Sequence, residues 1–316
     1  MKRCAPLLST SLFLLPKSIA EWSALVNRAL TIPAKEVPRP QHLSFVDVNT
    51  NQTMSRNAGI PPNSESLRKS AVLLLLSGVA SPPPSQEFMD MNILLTMRCS
   101  KMRTHAGQMA LPGGRMDEGE TVVQAATREC LEEVGVVEEH YNVLGALKPI
   151  WSHPSKSWVT PVVAVAPDVI FPQIRSPDEV ESIHYLNVAN LLCNSTKTHH
   201  EQIRHSTVLG TIRIPCFFAS DDPLAAAEGW RSSTTPTVHP GKHGNGALVQ
   251  VEEDNDRTPV RLDECDGTLV WGLTGAVIAE FIARVATAYN LRVPHSTPKV
   301  KLIPSGFLVR DPDRTT

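Results

Sequence analysis

The sequence predicts an α/β chain of the α+β kind, with a mixed β-sheet sandwiched between α-helices. Three observations carry this. "AVLLLLSGV" (71–79) and "NILLTMR" (92–98) are continuous apolar runs of strand length, separated by "ASPPPSQ", which no helix or central strand tolerates. "TLVWGLTGAVIAEFIARVATAYN" ends the ordered region with Val277, Ile278, Phe281, Ile282 and Val285 at the 3.6-residue period of a helix starting near Thr274. Strands and helices do not alternate regularly along the chain, which argues against a doubly wound parallel sheet.

The remaining elements follow in order. Residues 1–30 hold Lys2, Arg3, Lys17 and Arg28 against the single acid Glu21. They suit a mitochondrial presequence, a secretory signal, or an amphipathic helix over Glu21–Leu30 that packs on the domain. Residues 31–69, rich in Pro, Asn and Ser, read as a linker, so that order begins near Ser70. "AGQMALP" is a short strand leading into an acidic helix. "YNVLGALKPI" (141–150) and "WVTPVVAVAP" (158–167) are two more strands, "NVANLL" a short helix and "TIRIPCFFA" (211–219) a further strand. The domain spans 70–290, interrupted at about 221–256 by an aperiodic insertion, and 291–316 form a tail.

At 316 residues and 41% hydrophobic, the chain can bury a substantial core. Thirty basic and 32 acidic side chains give a net charge of -2, which provides no general attraction for nucleic acid or anionic membrane. Specificity for a polyanion must therefore arise locally. Six cysteines without a C-x-x-C pair argue against a zinc cage or a compact disulfide framework. No apolar run reaches the length of a membrane span. The sequence leaves monomer and homodimer open.

The acidic helix lies in "LPGGRMDEGETVVQAATRECLEEVGV" (111–136). Thr121 and Gln124 have the spacing of a capping box, and Gly135 supplies a stop. Val123, Ala126, Cys130 and Val134 share one stripe, with Glu129, Glu132 and Glu133 on the flank beside it. Like charges one turn apart repel, and the helix dipole disfavours acids near the C-terminus. Taken alone, such a run reads as a solvated face partnered by Arg128. A divalent cation offers another balance, since hard Mg²⁺ or Mn²⁺ takes carboxylate oxygens and two acids one turn apart can share it.

The surroundings favour the cation. Gly114, five residues, Glu120, seven residues, then Arg128-Glu129-Cys130-Leu131-Glu132-Glu133-Val134-Gly135-Val136 resembles the Nudix box, G-x5-E-x7-R-E-U-x-E-E-x-G-U, with Cys130 the one soft departure. The resemblance implies a Nudix fold and metal-dependent hydrolysis of a nucleoside diphosphate linked to another group. It implies Glu129 and Glu133 as principal ligands of Mg²⁺ or Mn²⁺, Glu132 as a further ligand or water-orienting group, and Glu120 with Arg128 as a brace. A carbonyl of Gly113 or Gly114 would complete the coordination. A base would come from the helix or from a later loop, where Glu179 and Glu181 in "SPDEVESI" are the available acids.

"LLTMRCSKMRTHAGQMALPGG" (94–114) resembles the signature accompanying the box in coenzyme A diphosphatases, L-L-T-x-R-[SA]-x3-R-x3-G-x3-F-P-G-G. Arg98, Arg103 and Gly107 match, while Cys99 and Leu111 depart from it. Two arginines beside a metal site suit a ligand carrying a diphosphate and a separate 3′-phosphate, because guanidinium holds phosphate in a bidentate fork. "VWGLTG" (270–275) is similar to the segment opening the last helix of these enzymes, with Trp271 as packing and Thr274 as N-cap. The resemblance covers 70–220 and 268–290.

The implied activity is cleavage of CoA or acyl-CoA to adenosine 3′,5′-bisphosphate and 4′-phosphopantetheine or its acyl form. A Nudix diphosphatase for ADP-ribose or NADH, and a non-catalytic nucleotide-binding domain, are the alternatives. RNA decapping lacks the basic, aromatic-interleaved patch it needs. The basic N-terminus points to mitochondria, with cytoplasm and peroxisome as alternatives, and the terminal "DRTT" is no S-K-L address.

Overall fold

The computed structural model describes residues 15–37, 45–46, 53–54, 67–79, 90–102, 104–193, 200–206, 210–223, 226, 267–290 and 301–302. Its centre is β3 (Lys69–Gly78), whose apolar run is buried on both faces. Ala71, Leu73 and Leu75 belong to one core cluster, Leu74 and Leu76 to another. A strand buried on both sides needs no polar alternation, which explains the unbroken apolar sequence.

On one side β3 pairs antiparallel with β4 (Met91–Arg98), and β4 pairs antiparallel with β10 (Val180–Asn187). On the other it pairs parallel with β9 (Ser157–Val165), which pairs antiparallel with β7 (Asn142–Ala146). The order is β10-β4-β3-β9-β7, with β5 (Met109–Ala110) on β4, β6 (Gly113–Arg115) on β3 and β8 (Ile150–Ser152) on β9. The sheet is therefore mixed. Helix α2 (Val122–Val134) covers one face through Ala125, Ala126, Cys130 and Val134. Helices α1 (Ile19–Thr31) and α4 (Gly272–Ala288) cover the other.

A second sheet has the order β13-β12-β11-β14, from β11 (His200–Ser206), β12 (Gly210–Ala219), β13 (Thr268–Val270) and β14 (Lys301–Leu302). A two-bond bridge between Tyr185 and Ser220 joins it to β10. Short strands β1 (Phe45–Val46) and β2 (Thr53–Met54) pair with each other, and α3 (Val188–Cys193) follows β10 directly.

Three expectations need correction. Order begins before Ser70: Ser18 caps α1 by accepting the Glu21 N–H, Glu21 accepts the Lys17 N–H, and Trp22, Leu25, Val26 and Ala29 are buried. The helix is held from afar by Arg284, which bonds Glu280 at 2.7 Å and donates to the Ile32 carbonyl at 2.8 Å. Thr274 is not an N-cap. Trp271 occupies that position and makes no side-chain capping bond, while the Thr274 hydroxyl donates to the Met109 carbonyl at 3.1 Å and fastens α4 to β5. Strands β10 and β11 are additional to those expected, because their polar residues hide the pattern. The targeting segment before residue 15, most of the 221–256 insertion and nearly all of the tail lie outside the described residues. Among the described residues no helix is long and apolar enough to cross a membrane.

Trp22 is wholly buried between α1 and the core. Trp22→Ala should cost about 3–5 kcal/mol, because the cavity adds to the lost transfer free energy. Urea unfolding measures it; a loss below about 1 kcal/mol would detach α1 from the domain.

Candidate active site

Both ends of α2 are fixed by local chemistry. Thr121 Oγ1 accepts the Gln124 N–H at 3.2 Å and Gln124 Oε1 accepts the Thr121 N–H at 2.9 Å, so two orphan donors are satisfied reciprocally. At the other end Gly135 turns left-handed, φ 69°, and its N–H reaches the Leu131 carbonyl. The Arg175 side chain crosses the space that a Gly135 Cβ would occupy.

Arg128 gathers the acids around it. Its Nε and Nη2 hold the Glu120 carboxylate in a fork at 2.9 and 3.2 Å, and Nη2 also donates to the Arg115 carbonyl. Nη1 donates to Glu129 Oε1 at 3.1 Å and to Glu132 Oε2 at 3.2 Å. Bonding to Arg128 first, and then the Asp117 N–H, holds the Glu120 carboxyl below the usual carboxylate range. The Glu120 bond in turn raises the Arg128 guanidinium further above its ordinary value. The expected brace between the 113–120 loop and the helix is thus present in the geometry.

The three box glutamates differ in depth. Steps of about 100° per residue separate Glu132 from Glu133. The Glu132 side chain is 55% exposed, that of Glu129 15%, and Glu133 only 3%. Burial, then the Glu129 charge, pushes the Glu133 carboxyl up to about 8, against Arg98 and a Gly113 backbone bond that favour the anion. Burial also raises Glu129, opposed by Arg128 and reinforced by Glu132 and Glu179. Glu133 Oε2 is buried with no hydrogen-bond partner.

Two glycines make room for this arrangement. Gly113 lies in the left-handed half of conformational space, φ 154°, with its α-hydrogen side against the Ala71 carbonyl and Val72. A Cβ on Gly114 would fall inside the Glu129 carboxylate.

Among the described residues no group of three or more His, Cys, Asp or Glu side chains is placed to hold a metal ion. Arg128 draws Glu129 and Glu132 toward itself. Mg²⁺ is ordinarily held by one or two carboxylates together with water and substrate phosphate, so an open set is what that ion uses. An all-oxygen donor set, an orphaned Glu133 oxygen and a cradle that only glycine leaves free fit Mg²⁺ or Mn²⁺ at Glu129 and Glu133, with Glu132 and Gly114 at the margin.

Of the two later acids, Glu179 ends the loop between β9 and β10 and Glu181 lies within β10. Glu181 Oε2 accepts the Ser100 N–H at 3.1 Å and so fixes the turn after β4. Glu179 is the one whose charge acts on Glu129 and Glu133. Arg98 ends β4, its charge favours the Glu133 anion where burial and Glu179 oppose it, and its buried Nε has no hydrogen-bond partner. Arg103 lies outside the described residues.

Sequence reasoning did not single out Gln173, Arg175 and Ser176. Their bonds to the end of α2 are made at 2.9, 2.9 and 2.8 Å, to the carbonyls of Val134, Glu133 and Glu132. The only sequence signal was indirect, a helix that stops at Gly135 and leaves carbonyls to be satisfied.

Gly114→Ala should weaken Mn²⁺ binding roughly ten- to hundredfold, as displacing a ligand's support does. Titration followed by the paramagnetic signal of free Mn²⁺ measures this; unchanged affinity would remove Glu129 from the metal site. Glu133 ionises near 4.5 in an unfolded chain and near 8 in the fold, so the cation-free protein loses stability as pH rises across that window. Glu133→Gln should therefore raise the thermal midpoint at pH 8 and leave it nearly unchanged at pH 5. Melting curves without divalent cations test this, and an equal or lower midpoint at pH 8 would count against it.

Comparison with known proteins finds matches over part of the chain. Residues 86–207 match the NUDIX domain family. Nudix hydrolase 3 of Caenorhabditis elegans is 34% identical over 115 residues, 36% of this chain and 48% of the relative. The Nudix hydrolase NudL of Escherichia fergusonii is 37% identical over 131 residues, 41% of this chain and 64% of the relative. The chain thus spans about half to just under two thirds of the curated relatives it matches. A solved structure of a Nudix hydrolase from M. Smegmatis, RenU, aligns with 46% of this chain and 81% of its own at 21% identity, with a TM-score of 0.32. The braced acidic helix lies within the segment 86–207 that matches the NUDIX domain family, and with its mixed sheet between helices the fold is the Nudix fold.

Proposed function

We propose that this protein is a divalent-metal-dependent diphosphatase that hydrolyses CoA and acyl-CoA to adenosine 3′,5′-bisphosphate and 4′-phosphopantetheine or its acyl form. The observation that carries the reading is Arg98. Its guanidinium stands beside Glu133, with a buried Nε that no protein group satisfies, at the end of a strand whose sequence matches the CoA signature. A phosphate oxygen is the natural partner for such a donor.

Bound Mg²⁺ or Mn²⁺ supplies charge neutralisation for the diphosphate and acidifies a water. Glu129 and Glu133 hold the cation, and Glu132 orients the water from the exposed edge of the helix. Glu179 takes the proton as the water oxygen bonds to phosphorus and the P–O–P bond breaks toward the other phosphate. Arg98, with Arg103, binds the phosphates and sets the register of the substrate. Arg128 and Glu120 touch no substrate and keep the helix and the glycine loop in place.

Purified protein assayed with CoA, acyl-CoA, ADP-ribose, NADH and capped RNA in Mg²⁺ or Mn²⁺ should prefer the CoA compounds. Arg98→Ala should lower kcat/KM for CoA roughly ten- to hundredfold, the worth of a hydrogen bond to a charged group, and less for ADP-ribose, which has no 3′-phosphate. No preference for CoA in the unmodified protein would sink the substrate assignment. Glu179→Gln should cost about a hundredfold or more in kcat, whereas Glu181→Gln stays within a few fold. A reversal of that pair would move the base to Glu181.

A further inference from the structure

Helix α2 ends with every carbonyl of its last turn satisfied. Leu131 is capped by the Gly135 N–H, Glu132 by the Ser176 hydroxyl, Glu133 by the Arg175 N–H and Val134 by the Gln173 N–H. Three of the four donors come from the loop that carries Glu179. Ser176 is the branch point of this contact. Its hydroxyl grips the Glu132 carbonyl at 2.8 Å, while its own carbonyl accepts the N–H of Glu179 at 2.9 Å and of Val180 at 2.8 Å. The Glu179 carbonyl then accepts the Cys99 N–H at 2.7 Å, one residue beyond Arg98.

One short path of hydrogen bonds therefore runs from the backbone of a box glutamate, through Ser176, to the turn presenting Glu179 and on to the strand end presenting Arg98. Backbone placement of Glu179 has no other side-chain link to α2 among the bonds described. A carboxylate that must take a proton from a water held over Glu129 and Glu133 works only at a fixed distance from them.

We propose that Ser176 is a positioning residue, which sets the Glu179 carboxylate against the metal-binding face of α2 through its bond to the Glu132 carbonyl. The proposal rests on the reading of Glu179 as proton acceptor, but not on the identity of the substrate. Any nucleoside diphosphate derivative that the full-length protein cleaves can serve in the test.

Ser176→Ala should lower kcat roughly two- to tenfold, the equivalent of one hydrogen bond, with KM and Mn²⁺ affinity unchanged. Ser176→Thr, which keeps the hydroxyl, should restore kcat. The decisive measurement is the same substitution in a Glu179→Gln background, where Ser176→Ala should cause no further loss because the group it positions no longer takes the proton. A merely structural cap would lower kcat by the same factor in both backgrounds, and that result overturns the proposal. So does an unchanged kcat in Ser176→Ala. If Glu179→Gln alone leaves kcat intact, the proton-acceptor reading fails and the proposal falls with it, even with CoA confirmed as substrate.

Discussion

The contact on which the site depends is the guanidinium of Arg128. Five donors in a rigid plane meet five acceptors, spread over Glu120, Glu129, Glu132 and the Arg115 carbonyl. A lysine has one point charge and three donors and could not hold this set. Without the arginine, three carboxylates within two turns would repel, and the glycine loop would have no charged tie to the helix. With it, the acids are gathered but not cancelled: two of the three box glutamates lean on Arg128, and the third, Glu133, is left buried, proton-prone and without a partner for Oε2.

The direction of α2 adds a second constraint. Its acids sit toward the C-terminus, where the aligned peptide dipoles disfavour negative charge. The fold answers by bringing N–H and O–H donors of the 173–176 segment onto the terminal carbonyls, with the Arg175 side chain laid over Gly135. The partial negative charge of the helix end is thereby drawn into hydrogen bonds. The same segment leads within a few residues to Glu179, so the cost of an acidic helix terminus and the placement of a further acid are met by one loop.

Much of this was legible in the sequence, for reasons that can be named residue by residue. The capping box of Thr121 and Gln124, the stop at Gly135 and the stripe of Ala126, Cys130 and Val134 are local signals, and local signals survive in a single chain. The depth of Glu133 was not legible, because it is set by tertiary packing, and the Gly113 backbone and Arg98 charge that act on it lie outside the helix. Strand β10 was hidden by Glu181, Ser182 and His184, polar residues that break its apolar pattern although His184 is buried. The amphipathic pattern of α1 was legible, but its tie to Arg284, 252 residues beyond Ile32, was not.

That last separation has a consequence for how the chain becomes a protein. Helix α1 offers a face of Trp22, Leu25, Val26 and Ala29, and α4, a principal cover for that face, comes from the far end of the domain. During synthesis the first helix leaves the ribosome long before the last. Contacts this distant in sequence form late, after the entropy of a very long loop has been surrendered. Until then the apolar stripe of α1 stays open to other chains, chaperones and membrane surfaces. The nascent protein therefore passes through a period in which the apolar face of α1 lacks its α4 cover.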